Sequence, residues 1–216
     1  MKKITQGLLI ISICILSSQS YAQVTALKAG FNLSNFSFSD DDGSDFGDFK
    51  STPGFHIGAT FDIPLGDMFA IETGILLTTK GTQTKTDFGG YSSKSTINIL
   101  NAEVPLSFKT IFGVSDNLDV YVSAGGYLGV GIIGVSRNKT TFNGETETDS
   151  EEIEFDENGL QRLDYGLTFG AGIEVKGFIV GASYDLGLAD IDGSDYWTIR
   201  NRVLKIGVGY RFGWDN

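Results

Sequence analysis

Along most of this chain every second residue is large and apolar, and the residues between are glycine, small or charged. In "VLKIGVGYRF", Leu204, Ile206, Val208, Tyr210 and Phe212 alternate with Lys205, Gly207, Gly209 and Arg211. A period of two is the mark of a β-strand with two unlike faces, because successive side chains leave opposite sides of a pleated ribbon. The pattern recurs in "ALKAGFNLSNF", "FHIGATFDI", "FAIETGILLTTK", "LNAEVPLSFK", "VYVSAGGYLGVGIIGV", "LDYGLTFGAGIE" and "FIVGASYDL". With the closing segment there are eight such strands, and no competing helical period. The fifth has five glycines, which make a poor helix interior. The chain is therefore expected to be all-β.

The connections sort into two kinds. "PLGDM", "GVSDN" and "KG" are short. "SDDDGSDFGDFKST", "GTQTKTDFGGYSSKS", "NKTTFNGETETDSEEIEFDENG" and "DIDGSDYW" are long and polar, and read as loops. Short turns at one end and long loops at the other describe an eight-stranded antiparallel up-and-down transmembrane β-barrel. The rival architecture is a soluble lipocalin-like ligand-binding barrel, in which the apolar face points inward. Its water-facing side is usually rich in Lys, Glu and Thr. Here the polar face is mostly glycine with isolated charges, which suits a crowded barrel interior. On that face lie the acids Asp62, Glu72, Glu103, Asp164, Glu174 and Asp185 and the bases Lys28, Lys80, Lys109, Lys205 and Arg211. The two sets nearly balance, as charges withdrawn from bulk water must. The apolar face is expected to meet lipid.

The N-terminus agrees with export. Lys2 and Lys3 precede "GLLIISICIL", an apolar stretch of about ten residues, half of the roughly 20 a membrane helix needs. "SSQSYA" then offers Ser20 and Ala22 to a signal peptidase, so residues 1–22 read as a signal peptide and 23–216 as the barrel domain. The single cysteine, Cys14, leaves with the signal, which excludes disulfide and thiol chemistry. With 27 acidic against 16 basic residues, the chain is not expected to bind nucleic acid.

At "AEVPLSFK", "LDYGLTFGAGIE" and the terminal "GYRF", the sequence resembles the PorT-like outer-membrane β-barrel family, described from Bacteroidetes-type bacteria. The resemblance spans Gln23 to Phe212 and carries no catalytic residues. It implies insertion by the outer-membrane barrel assembly machinery, which reads a terminal strand ending in an aromatic. Phe212 fits that role, although "GWDN" follows and leaves Trp214 as the other candidate. Family members differ in role, so the name supplies no function.

The remaining signals are weaker. Some eight-stranded barrels modify lipid A, and that chemistry usually needs a histidine base beside a serine. The only histidine, His56, has lumen parity, so it reads as a hydrogen-bonded interior residue. "DDDGSD" (40–45) lacks the alternating ligands and distal glutamate of a calcium loop and reads as a solvated acidic loop. No zinc spacing, phosphate loop or nucleophile elbow is present, and no cofactor is implied. A pore is not expected, because eight strands enclose a lumen that side chains fill. What is left is a structural or surface-interaction protein acting through its loops. The aromatics Phe46, Phe49, Tyr91, Phe142, Phe155, Tyr196 and Trp197 stand at the expected loop tips, where an envelope or extracellular partner would bind. Arg200 and Arg202 share parity with Leu204 and lie just after the last loop. There they are expected at the outer-leaflet rim, pairing with lipopolysaccharide phosphates beside Trp197, or else paired with the acidic loops.

Overall fold

In the computed structural model, residues 24–39, 50–155, 160–192 and 198–213 are described. They form β1 (Val24–Ser39), β2 (Thr52–Pro64), β3 (Phe69–Phe88), β4 (Tyr91–Ser115), β5 (Leu118–Phe142), β6 (Glu145–Glu152), β7 (Leu163–Val175), β8 (Phe178–Gly187) and β9 (Thr198–Arg211). Neighbours pair in the order β4-β3-β2-β1-β9-β8-β7-β5, and β4 also pairs with β5, so eight strands close a ring. Every pairing is antiparallel. Closure leaves no sheet edge within the ring, so the backbone groups of each strand find partners on both sides.

Burial is inverted relative to a water-soluble protein. Phe31 is 80% exposed, with Ile57, Leu106, Ile206 and Val208 also bare on the outer face, while Lys80 is 0% and Lys109 and Glu103 each 1% exposed. Such a surface suits hydrocarbon and rules out the lipocalin arrangement. Near the short-turn end, aromatic side chains gather on the outer face. Phe69 stacks on Phe108 at 5.4 Å, and Tyr210 meets Phe178 at 5.0 Å and Phe212 at 5.3 Å, both edge-on. Aromatic girdles of this kind mark the membrane interface of transmembrane barrels.

Pro105 sits in mid-strand, a position proline seldom takes because it has no N–H for the ladder. The registered β3–β4 pairs run from Phe69 to Thr73 and resume at Leu76. Across that interval the Thr73 hydroxyl donates to the Pro105 carbonyl at 2.8 Å, so a side chain restores one of the lost links.

Two of the expected loops are in fact strand. "GTQTKTDFGGYSSKS" continues β3 and β4 to a two-residue turn at Gly89 and Gly90, with φ of 52° and 87°. Beyond the barrel β5 likewise runs to Phe142, turns at Asn143 and Gly144 (φ 49° and 89°) and returns as β6. Paired positive φ values define the tight hairpin turn whose twist matches the strands, and Gly-Gly and Asn-Gly are the dipeptides that adopt it most readily. Alternating Thr and Ser on either side favour extended chain. β6 pairs only with β5 and lies outside the ring, so the chain has a ninth strand beyond the eight of the barrel.

The alternation of the fifth segment also breaks. Leu100 pairs with Ile133 and Asn101 with Gly131, leaving Ile132 as a β-bulge. Ile132 and Ile133 are both exposed on the outer face, and from there on odd-numbered residues of β5 point outward. An extra residue of this kind shifts the side-chain phase by one.

The register makes a direct prediction. Ala171 faces outward in mid-strand opposite Val122 and Ala182, while a β-carbon on neighbouring Gly170 would meet Ser123 Oγ at 2.7 Å. Ala171→Arg should cost about 2–4 kcal/mol through its cation in lipid, read by equilibrium unfolding from vesicles. Gly170→Ala should show a cost set by lumen crowding and independent of bilayer thickness.

Candidate functional site

The interior is the most chemically distinctive part of the molecule. It is built in layers, because each strand contributes inward side chains at every second position. Towards the long-loop end, Lys80 of β3 meets Glu103 and Asp164 at 2.8 Å each, and Lys205 of β9 meets Glu103 at 2.5 Å and Asp185 at 2.6 Å. Asn201 donates to Asp164 at 2.9 Å, and the Lys80 ammonium stands 3.9 Å above the Tyr127 ring. Towards the short-turn end, Lys109 meets Asp62 at 2.8 Å and Glu72 at 3.4 Å. Lys28 meets Glu72 at 2.7 Å, while Arg211 spans Asp62 at 3.2 Å and Glu174 at 2.6 Å. Lys109 lies 4.5 Å from the centre of the Tyr121 ring. Two networks thus bring together the eleven charged residues that strand parity assigned to the lumen. The upper has two cations and three carboxylates, the lower three of each.

Strand parity puts these residues on one face, but their pairing comes from the curvature of the ring. Lys80 and Asp164 are 84 residues apart, and Arg211 and Asp62 are 149 apart. Glycine makes the room. A β-carbon on Gly172 would collide with the Tyr121 hydroxyl and one on Gly181 likewise, so the ring of Tyr121 lies where those two side chains are missing.

Between the networks is a polar cavity of about 90 Å³ whose lining includes His56, Ser107, Ser123, Thr168, Ser183 and Tyr121. A water needs about 10–15 Å³ measured in this way, so the space holds a few waters rather than a substrate path. His56 Nδ1 lies 2.7 Å from Asn32 Oδ1. The Asn32 amide donates to the Phe55 and Thr79 carbonyls at 2.8 and 3.0 Å, which fixes its oxygen toward the ring. His56 Nδ1 is therefore the protonated nitrogen and donates to Asn32. Sequence reading did not single out Asn32 or Asn201, since a lone inward asparagine carries no pattern.

Above the upper network the mouth is closed by an apolar cluster of Phe36, Ile99, Ala189 and Ile191, with Phe155, Leu160 and Ile199 packed against it. Asp190 builds part of this lid. Its Oδ1 accepts from the amides of Asp192 at 3.0 Å and Ile199 at 2.9 Å, folding the loop so that Ile191 points inward. Phe155 corrects an expectation. It is not a loop-tip aromatic but tucks into the mouth, where its ring would touch a β-carbon on Gly131 or Gly134, and Arg162 stacks on it at 4.5 Å. The apolar phase of Ile153 and Phe155 in an otherwise acidic stretch is the signal that marks it. Tyr91 and Phe142 do stand at exposed hairpin tips, beside Phe88.

The other expected site residues lie elsewhere. Arg200 and Arg202 are exposed on the outer face of β9, and Arg202 donates to Ser37 Oγ at 3.3 Å. Phe212 is exposed on the girdle at the opposite end, its amide bonded to the Thr25 carbonyl at 2.8 Å. Trp197, Trp214, Phe46, Phe49, Tyr196, the "DDDGSD" segment and the signal peptide lie outside the described residues. Among the described residues no group of three or more His, Cys, Asp or Glu is placed to hold a metal.

Removing one partner of a buried pair strands the other charge, at a cost of roughly 3–5 kcal/mol. Lys80→Met, which leaves Glu103 and Asp164 short of a cation, should lose stability on that scale in urea titrations of the vesicle-inserted barrel. Adding Asp164→Leu should recover part of the loss.

Among known proteins, the chain resembles several solved barrels at low identity and matches one family. The chain is similar to the attachment invasion locus protein Ail of Yersinia pestis, at 16% identity over 89% of this chain and 100% of that one, with a TM-score of 0.38. For the outer membrane protein OprG of Pseudomonas aeruginosa the values are 15%, 88%, 96% and 0.43. For Neisserial surface protein A they are 14%, 87%, 97% and 0.38. A search of curated protein sequences finds no match. Residues 18–193 match the family described as "Outer membrane protein beta-barrel domain". With its closed ring, apolar exterior and ion-paired lumen, the chain belongs to this family of outer-membrane β-barrels.

Proposed function

We propose that the protein is a closed, non-catalytic barrel that holds an extracellular β-sheet rigidly above the outer membrane as an interaction surface. The observation that carries this reading is the contrast between the two ends of the same strands. Inside the ring, β3, β4 and β5 contribute to a lumen filled by ion pairs and sealed by Phe36, Ile99, Ala189 and Ile191. Beyond it they continue with β6 as a four-stranded sheet, whose tips present Phe88 (83% exposed), Tyr91 and Phe142. Strands reaching past the bilayer are a rigid scaffold, and binding residues commonly sit on segments that such a scaffold presents. The acidic "ETETDSEE" stretch of β6 belongs to the same side.

Three finer points belong to this reading. Residues 1–22 act as the export signal. Phe212, immediately after the terminal strand, is the aromatic that the assembly machinery reads. Arg200 and Arg202 sit above Leu204 on β9, where guanidinium groups suit lipopolysaccharide phosphates. The motifs quoted above support a PorT-like member from a Bacteroidetes-type bacterium.

The test is electrical and biochemical together. Planar-bilayer recordings of the refolded protein should show negligible conductance, and large stable channels would overturn the closed-lumen reading. A variant with β3–β4 and β5–β6 shortened to tight turns above Lys80 and Gly134 should still insert but lose its envelope or host partner in pulldowns.

A further inference from the structure

The extracellular sheet has two chemically different faces. Directly opposed residues on antiparallel neighbours share a face, so Lys85, Lys94 and Lys139 form one row across β3, β4 and β5. Two residues nearer the membrane, the row Lys50, Gln83, Thr96 and Arg137 lies on the same side. All five basic side chains are exposed. Four of the five acids of β6 are sorted the other way, since Glu145 pairs with Phe142, Glu147 with Thr140, Asp149 with Asn138 and Glu151 with Ser136, whose row carries Ile97 on the lumen side. Among the strand residues described the basic face has two carboxylates, Asp87 and Glu152, and exposed Glu154 follows on that side just past β6. Asp87 is already engaged by Lys85 at 2.7 Å. Lys85 and Ser92 hydrogen-bond its carboxyl and hold it below the usual carboxylate range, with Lys50 adding attraction.

Like charges directly opposite one another across a sheet are destabilising. Strands lie about 4.8 Å apart, so three ammonium stems fall within about 10 Å. In a chain of net charge −11, this is an unfavourable arrangement that an anion would relieve.

The height of the face selects the anion. The bulge at Ile132 turns Val135, Arg137 and Lys139 outward, onto the same side as lipid-facing Ile133. Arg137 is the next outward position after Val135, and Lys139 the one after that. At about 3.3 Å per residue and a tilt near 40°, they stand roughly 5 and 10 Å above the apolar band. That is the interfacial layer, where polar headgroups lie.

We infer that Lys50, Lys85, Lys94, Arg137 and Lys139 form a binding face for the phosphate groups of outer-leaflet glycolipid packed beside β3–β5. Lysine ammoniums suit this role as mobile point charges, and Arg137 adds a fork for a phosphate. The face is separate from Arg200 and Arg202 on β9 and rests only on the outer-membrane placement.

The test reads the lysines directly. The full barrel is placed in nanodiscs of phosphatidylcholine, with or without bisphosphorylated lipid A, and amine acylation is followed by mass spectrometry. Labelling of Lys85, Lys94 and Lys139 should fall about tenfold with lipid A, while Lys176 in the β7–β8 turn is unchanged. Arg137→Glu together with Lys139→Glu, both exposed changes, should abolish the protection at Lys85 and Lys94 in a barrel of unaltered heat-shifted mobility. A soluble polyphosphate added to phosphatidylcholine discs should protect weakly. Equal labelling with and without lipid A, protection that survives the double variant, or full protection by soluble polyphosphate would each overturn the assignment.

Discussion

A peptide backbone surrounded by hydrocarbon has no water to satisfy its N–H and C=O groups, so a sheet that spans a membrane must close on itself. That requirement organises this protein. With eight strands, closure leaves a lumen only wide enough for side chains. The β1–β9 seam completes it in continuous antiparallel register, and the β4–β5 seam does so across the bulge at Ile132 and a second shift near Gly113. Even the mid-strand Pro105 is accommodated, a threonine hydroxyl standing in for a ladder bond. The outer surface then carries the large apolar residues, and the polar ones have nowhere to go but inside.

Inside, the choice of charge over a packed apolar core follows from that inversion. Alternation gives each strand one lipid face, and the other must fill a tapering space without being greasy enough to turn outward. Lysine and arginine reach across the lumen to carboxylates from distant strands, and tyrosine rings take the residual volume beside Lys80 and Lys109. Buried pairs of this kind are seldom more stabilising than apolar packing, but each holds a register, because a slipped strand would leave a charge in lipid or without a partner. On the proposed reading the networks and the apolar cluster over them make the interior structural, and recognition falls to the strands that run beyond the ring.

Those extended strands make the molecule asymmetric. One face of the sheet beyond the ring is basic and continuous with the apolar outer wall, the other carries most of the acids of β6, and aromatics crown the tips. A net acidic chain has thus gathered several of its bases on one face just beyond its apolar band. Bulk charge, which argued against nucleic acid, says nothing about this local arrangement.

Sequence alone determined the strand content of the ring, the apolar and polar faces and the short turns, because a period of two is a local consequence of the pleat and needs no neighbour to express it. The polar face read from sequence carried the charged residues that the structure pairs inside the ring. Four things escaped it. The Gly-Gly and Asn-Gly turns were readable as hairpin signals, yet their polar, Thr-rich flanks resembled loop. The bulge at Ile132 could not be seen, since "GVGIIGV" alternates equally well in either phase until Leu100 and Asn101 fix the pairing. Phe155 entered the mouth because Gly131 and Gly134 leave space that only the assembled wall defines. The partner of each interior charge was decided by closure, which sets Lys80 against Asp164 and Arg211 against Asp62 across intervals of chain that no local pattern connects.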